Sequence, residues 1–157
     1  MNKSKNRRGF SLIELLIVVA IMSILAAIAI PNLLASRRAA NEGSAQSSLR
    51  TIHSCEALYK ATSVNATYGT LDDLKGQFLT DNVLASGFKS GYSFAANPNG
   101  AGLGAIFYAT AVPISTSGVG LSGTRRFAIT EDGVQRGDAT LTVPADHAEV
   151  VGMQPLN

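Results

Sequence analysis

Glu14 is the residue whose chemistry most needs explaining. It stands at the head of an apolar stretch in which no charged side chain occurs from Leu15 to Ser36. An ionised carboxylate at membrane depth costs at least about 2.5–3.5 kcal/mol, so it must be paired or lie near an interface. The chemistry open to it is recognition by charge: it needs a cation, and a misplaced partner leaves it uncompensated in a medium of low dielectric.

The other candidate groups point elsewhere. Gly118-Val119-Gly120-Leu121-Ser122-Gly123 spells the glycine spacing of a dinucleotide loop, which requires a strand before it and a helix after it. Thr124 to Ile129 follow with strand-like alternation, so this stretch is expected to be a flexible hairpin loop, as is Gly100–Gly104. Asp132 and Asp138 could contribute to a cation site, but hard cations need about six oxygens, and turn residues are the expected reading. His53 and His147 lack metal-ligand spacing, and no Gly-x-Ser-x-Gly elbow is present. The single cysteine, Cys55, rules out an internal disulfide and is expected to be buried and inert. No catalytic residue, cofactor or metal is expected.

The element that must position Glu14 is a helix over Leu12–Ser36, roughly 37 Å long at about 1.5 Å per residue and able to cross a hydrocarbon core of about 30 Å. Pro31 is its only strong breaker, because its ring carries no N–H for the carbonyl of Ala27 and disfavours α geometry at Ile30. Four of the chain's 13 basic residues, Lys3, Lys5, Arg7 and Arg8, precede it in a segment without acids. The positive-inside bias places that segment in the cytoplasm. Without these four the formal charge falls from +2 to −2, so bulk charge predicts no constitutive nucleic-acid binding. The apolar run is longer than the h-region of a cleaved secretory signal.

Taken together, the basic residues ending at Gly9, the word Phe10-Ser11-Leu12-Ile13-Glu14 and Pro31 farther on resemble the N-terminus of the type IV pilin family, including the related type II secretion pseudopilins. The resemblance covers about the first forty residues. It implies cleavage of the leader after Gly9, N-methylation of Phe10, and a role for Glu14, the fifth residue of the processed chain, in assembly. It also implies that the helix near Pro31 loses helicity when subunits pack.

Beyond Pro31 the pattern becomes amphipathic to about Thr62. Ala45, Leu49, Ile52, Cys55 and Tyr59 form a narrow apolar stripe, with Arg38, Glu42, Gln46, Arg50 and Lys60 off it and His53 at its border. After a loop at Ser63–Gly69, Thr70 caps a short helix from Leu71. Phe78, Leu79, Val83 and Leu84 then supply apolar contacts in an irregular connector. From Phe88 the period is two. Strands are expected at Tyr92–Ala96, Ala105–Pro113 and Arg125–Thr130, with a turn at Asn97–Gly100 and a type I′ hairpin at Asp132-Gly133. A fourth strand follows from Val134, with Ala139–Val143 as the candidate for a fifth.

The expected fold class is α+β: a long N-terminal helix whose C-terminal half packs on a small antiparallel sheet. The expected segments are a leader over 1–9, a transmembrane or filament-core helix over 10–36, its amphipathic continuation over 37–62, and a globular domain over 63–157. A chain beginning near Asn32 is expected to fold alone.

The resemblance implies a structural subunit that polymerises into a homo-oligomeric helical filament. It implies a prepilin peptidase and methyltransferase, and inner-membrane assembly machinery, as partners. The protein would sit in the inner membrane with its globular domain periplasmic, then move into a surface pilus or a periplasmic pseudopilus. Pilus and pseudopilus both stay open, because one cysteine cannot form the C-terminal disulfide of many pilus subunits, while the aspartate-rich calcium pattern of major pseudopilins is also missing. The reading leans to a pilus. A minor pilin-like subunit that binds DNA or a surface is the rival from another class, yet its best basic pair, Arg125-Arg126, alternates across the sheet.

Overall fold

The computed structural model describes residues 10–156; the basic segment 1–9, with the expected cleavage site at Gly9, lies outside the described residues. Contacts divide the chain after Ser36 into two compact units. Helix α1 runs from Leu12 to Thr62. Short helices α2 (Leu71–Leu74) and α3 (Asn82–Ala85) follow, and α4 (His147–Gly152) comes near the C-terminus. Between α3 and α4 lie strands β1 (Phe88–Lys89), β2 (Tyr92–Asn99), β3 (Ile106–Pro113), β4 (Arg126–Thr130) and β5 (Gln135–Asp138), which pair antiparallel in sequence order. The fold is α+β and pilin-like: a long apolar helix followed by a five-stranded antiparallel sheet.

In the second unit the helix packs on one face of the sheet. Ala45, Leu49 and Ile52 are fully buried and Cys55 nearly so, against Phe94, Phe107, Phe127 and Ile129. Tyr59 packs at the edge of the same core. Leu49→Ala or Ile52→Ala should therefore cost about 2–5 kcal/mol, the usual range for truncating a buried aliphatic. The check is a shift of the denaturant midpoint at unchanged slope; unmoved midpoints in both variants would contradict this packing.

Several expectations need correction. Glu42 is buried, because positions 42, 45, 49, 52, 56 and 59 share one helix face and the sheet brings partners to the acid. Val83 is exposed rather than a core contact. The expected turn at Asn97–Gly100 begins only at Gly100, since β2 continues through Pro98. Beyond Ser93 no described strand pairs with the outer side of β2, and proline is tolerated on an open edge.

The type I′ geometry belongs to Ser90-Gly91, where both residues have positive φ and Lys89 pairs with Tyr92. At the other hairpin only Gly133 has positive φ, and its N–H donates to the carbonyl of Thr130 at 3.0 Å, so Glu131-Asp132 occupy the turn centre without left-handed geometry. Ala139–Val143 forms no strand; the segment Gln154–Leu156 lies along β5 instead, where the amides of Gly137 and Leu156 donate to the carbonyls of Gln154 and Gln135.

All of β4 is buried, because α4 covers the sheet's second face through Val150 and Met153 on Ala128. Sequence reading missed this helix. Its signal was Asp146, which caps the amide of Glu149 at 2.8 Å.

Candidate assembly site at the helix N-terminus

Every described residue from Phe10 to Leu33 is exposed in the single chain, including Leu12 at 80%, Ile24 at 64% and Leu33 at 67%. The segment is long and apolar enough to cross a membrane. Side chains of this kind, unburied by the single chain, need lipid or other apolar helices as their surroundings.

Glu14 is the carboxylate of that surface. Its Oε2 accepts a hydrogen bond from the amide of Ser11 at 3.0 Å. Ser11 precedes the first helical residue and Glu14 is the third residue within, so the acid makes the reaching-back half of a capping box. The same position favours a negative charge on the positive end of the helix dipole. In the single chain the carboxylate is thus held at the helix start by its own backbone, beside Phe10, which is exposed. The Ser-x-x-Glu spacing was present in the sequence and could have revealed this cap.

Pro31 lies within α1, which is helical on both sides of it. In the single chain the helix thus continues through Pro31; the loss of helicity was expected only on packing. Asn32 Nδ2 donates to the carbonyl of Ile28 at 3.1 Å, adding a side-chain bond one residue beyond the ladder bond that proline cannot make.

The remaining candidates are structural. Asp138 takes Arg126 through Nε at 2.8 Å and a terminal nitrogen at 2.9 Å, and Glu149 takes the same guanidinium at 2.7 Å. Asp132 takes Arg136 at 2.6 Å, which holds its carboxyl well below the usual range. Both aspartates are thus committed to arginines, and no group of three metal-ligating side chains occurs among the described residues. His53 lies half-buried against the ring of Phe107, and His147 pairs with Glu131 at 2.9 Å. Burial, reinforced by neighbouring Glu56, pushes the Cys55 thiol up, and the thiol donates to the carbonyl of Phe78.

The glycine run leads into β4, not a helix, so it lacks the geometry for a dinucleotide. Glu42 clamps the far end of that run. Its Oε1 accepts from the amide and hydroxyl of Thr124 at 2.8 and 2.7 Å, and its Oε2 from Arg125. Burial works to raise its pKa, but these donors outweigh it and hold the carboxyl below its usual value.

Comparison with known proteins agrees with the geometry at the N-terminus. Residues 4–30 match the family described as the prokaryotic N-terminal methylation motif. The chain is 66% identical over 38 residues to the type IV wide pilus major component PilA4 of Thermus thermophilus, covering 24% of this chain and 29% of that protein. It is 33% identical over 72 residues to the type II secretion system core protein G of Vibrio cholerae, covering 46% and 48%. It is 47% identical over 49 residues to the type IV major pilin protein PilA of Myxococcus xanthus, covering 31% and 22%. The matched stretch spans less than half the length of each relative. No solved structure matches the chain. The chain therefore carries a prepilin-type N-terminus similar to those of type IV pilins and type II secretion core proteins.

Proposed function

We propose that this chain is a structural subunit of a type IV pilus-like filament, made as a prepilin and polymerised through its N-terminal helix. The observation that carries the reading is Glu14. It is the one acid at the head of an exposed apolar stretch that carries no charge from Leu15 to Ser36, placed five residues beyond Gly9. A basic leader that stays cytoplasmic and an apolar helix fit membrane anchoring before assembly. Cleavage after Gly9 creates an amine at Phe10, which is then methylated.

In the filament, Glu14 exchanges its bond to Ser11 for the Phe10 amine of a neighbouring subunit. The match sets the axial stagger, because any other register buries both charges unpaired. Pro31 leaves one ladder bond unmade, and the helix around it is where helicity is given up on packing. The globular units form the outer coat, with the loops at Ser115–Gly123 and Asn97–Gly104 outward. Prepilin peptidase, methyltransferase and inner-membrane assembly machinery are the partners this route requires.

A second reading, a secretion pseudopilus, is favoured by one observation: the match to core protein G runs over 72 residues, farther than either pilin match. Shearing separates the two readings, since a pilus subunit is recovered as the main protein of surface filaments. Intact mass spectrometry of assembled protein should give a chain that begins at Phe10 and carries one added methyl group. Assembled material that still contains Met1–Gly9 would refute the filament-subunit reading.

A further inference from the structure

Glu56 lies two helical turns after Leu49 on the inward face of α1 and is fully buried. Its Oε2 accepts the amide of Gly69 at 2.9 Å. Its Oε1 is buried with no hydrogen-bond partner among the described residues. The segment Gly69–Leu79 closes over this part of the helix. The carbonyl of Phe78 takes the Cys55 thiol, and the Phe78 ring meets Tyr59 edge-on at 5.5 Å between centroids. Thr70 and Asp73 cap α2 reciprocally within the segment. A full negative charge in this place is satisfied at one oxygen only, so the charged form opposes closure.

The surrounding charges do not relieve it. Asp73, on α2, adds like charge. Lys60, one turn onward on α1, turns its ammonium to the hydroxyl of Tyr68 and the carbonyl of Ala105, each at 3.4 Å. Cys55, beside it on the helix, is itself a proton-holding thiol.

We propose that Glu56 is a proton-operated latch. Protonated, it lets Gly69–Leu79 close on α1; deprotonated, it loosens that segment while the sheet stays folded. Burial, opposed by the Gly69 amide and aided by Asp73, pushes the Glu56 carboxyl up to about 7 from 4.5. The closed state therefore keeps a proton that the opened segment releases between those two values. Closure is tightest in acid, weakens as pH rises, and levels off above about 7. The latch is a property of the globular unit and does not depend on what the filament does.

The test is amide hydrogen exchange on the full chain in detergent micelles from pH 5 to 8, with the intrinsic pH dependence of exchange removed. Protection of the Gly69–Leu79 amides should fall by up to about tenfold per pH unit and flatten near neutrality, while the amides of β3 and β4 hold steady. In Glu56→Gln, which is uncharged throughout, the fall should vanish. A direct carboxyl titration of carbon-13-labelled glutamate in the unmutated chain should show Glu56 with a midpoint near 7. An ordinary midpoint near 4.5, or the same pH profile in Glu56→Gln, would overturn the latch.

Discussion

Cells whose only copy of this chain carries Glu14→Ala should accumulate processed protein in the membrane and display few or no filaments. In a plain membrane anchor the substitution removes a charge from the edge of an apolar helix, so insertion should be unchanged or slightly better. In the single chain it removes one bond, from the Ser11 amide, on a helix that continues to Thr62. In a filament the loss is of another kind. The Phe10 amine is left in an apolar core without its partner, at a cost of about 3–5 kcal/mol per broken pair. Because the defect recurs at every subunit contact, growth should stop. Glu14→Asp keeps the charge but shortens its reach by one methylene, and it should assemble poorly. Filament yield by shearing, set against membrane levels on the same cells, reads both variants. Abundant filaments from Glu14→Ala would sink the pairing mechanism.

Gly123→Ala should destabilise the globular unit by at least about 3 kcal/mol, the upper end for overpacking a rigid site. A Cβ at this position would lie within 3 Å of three atoms of Tyr92, among them its ring carbons at 2.6 and 2.9 Å. Real contacts of that kind are not found, so the ring must move. Tyr92 is fully buried against Phe127, and its hydroxyl donates to the carbonyl of Arg125 at 2.9 Å. Moving it opens the core and frees that carbonyl together. The clash assigns the cost to one pair, so a double-mutant cycle is the decisive measurement. Gly123→Ala should cost far less in a Tyr92→Leu background, by midpoint shifts in denaturant. Equal costs in both backgrounds would show that the glycine is needed for some other reason. The third glycine of a nucleotide-like motif is thus explained by the approach of a tyrosine.

The stripe on α1 was legible because helical periodicity does not depend on tertiary partners. Ala45, Leu49, Ile52 and Cys55 are buried as their spacing requires. Of the acids on the same face, Glu42 was misread and Glu56 was passed over. Both share the spacing of the stripe; Glu42 is admitted by donors brought from residues up to 83 positions away, and Glu56 is enclosed with one donor, the Gly69 amide. The hairpins show the same limit. Asp132-Gly133 carried the stronger local signal for type I′ geometry, yet Ser90-Gly91 adopts it. There the strands place Ser90 beside Ser44 of α1, with a hydroxyl contact at 2.9 Å, and Gly91 close to Ser122.

The sequence by itself determined the N-terminal half of this protein's chemistry. The basic N-terminal segment, the word Gly9-Phe10, the acid at Glu14 and the apolar run after it are local properties, and a helix of that length follows from backbone hydrogen bonding and hydropathy alone. Only the tertiary structure decided the rest: that β4 is covered on both faces, that Asp132 and Asp138 are spent on arginines, and that Glu56 is sealed beneath Gly69–Leu79. Burial of a polar group is set by the partners that meet it, and those are chosen by the packing of distant segments rather than by neighbours in the chain.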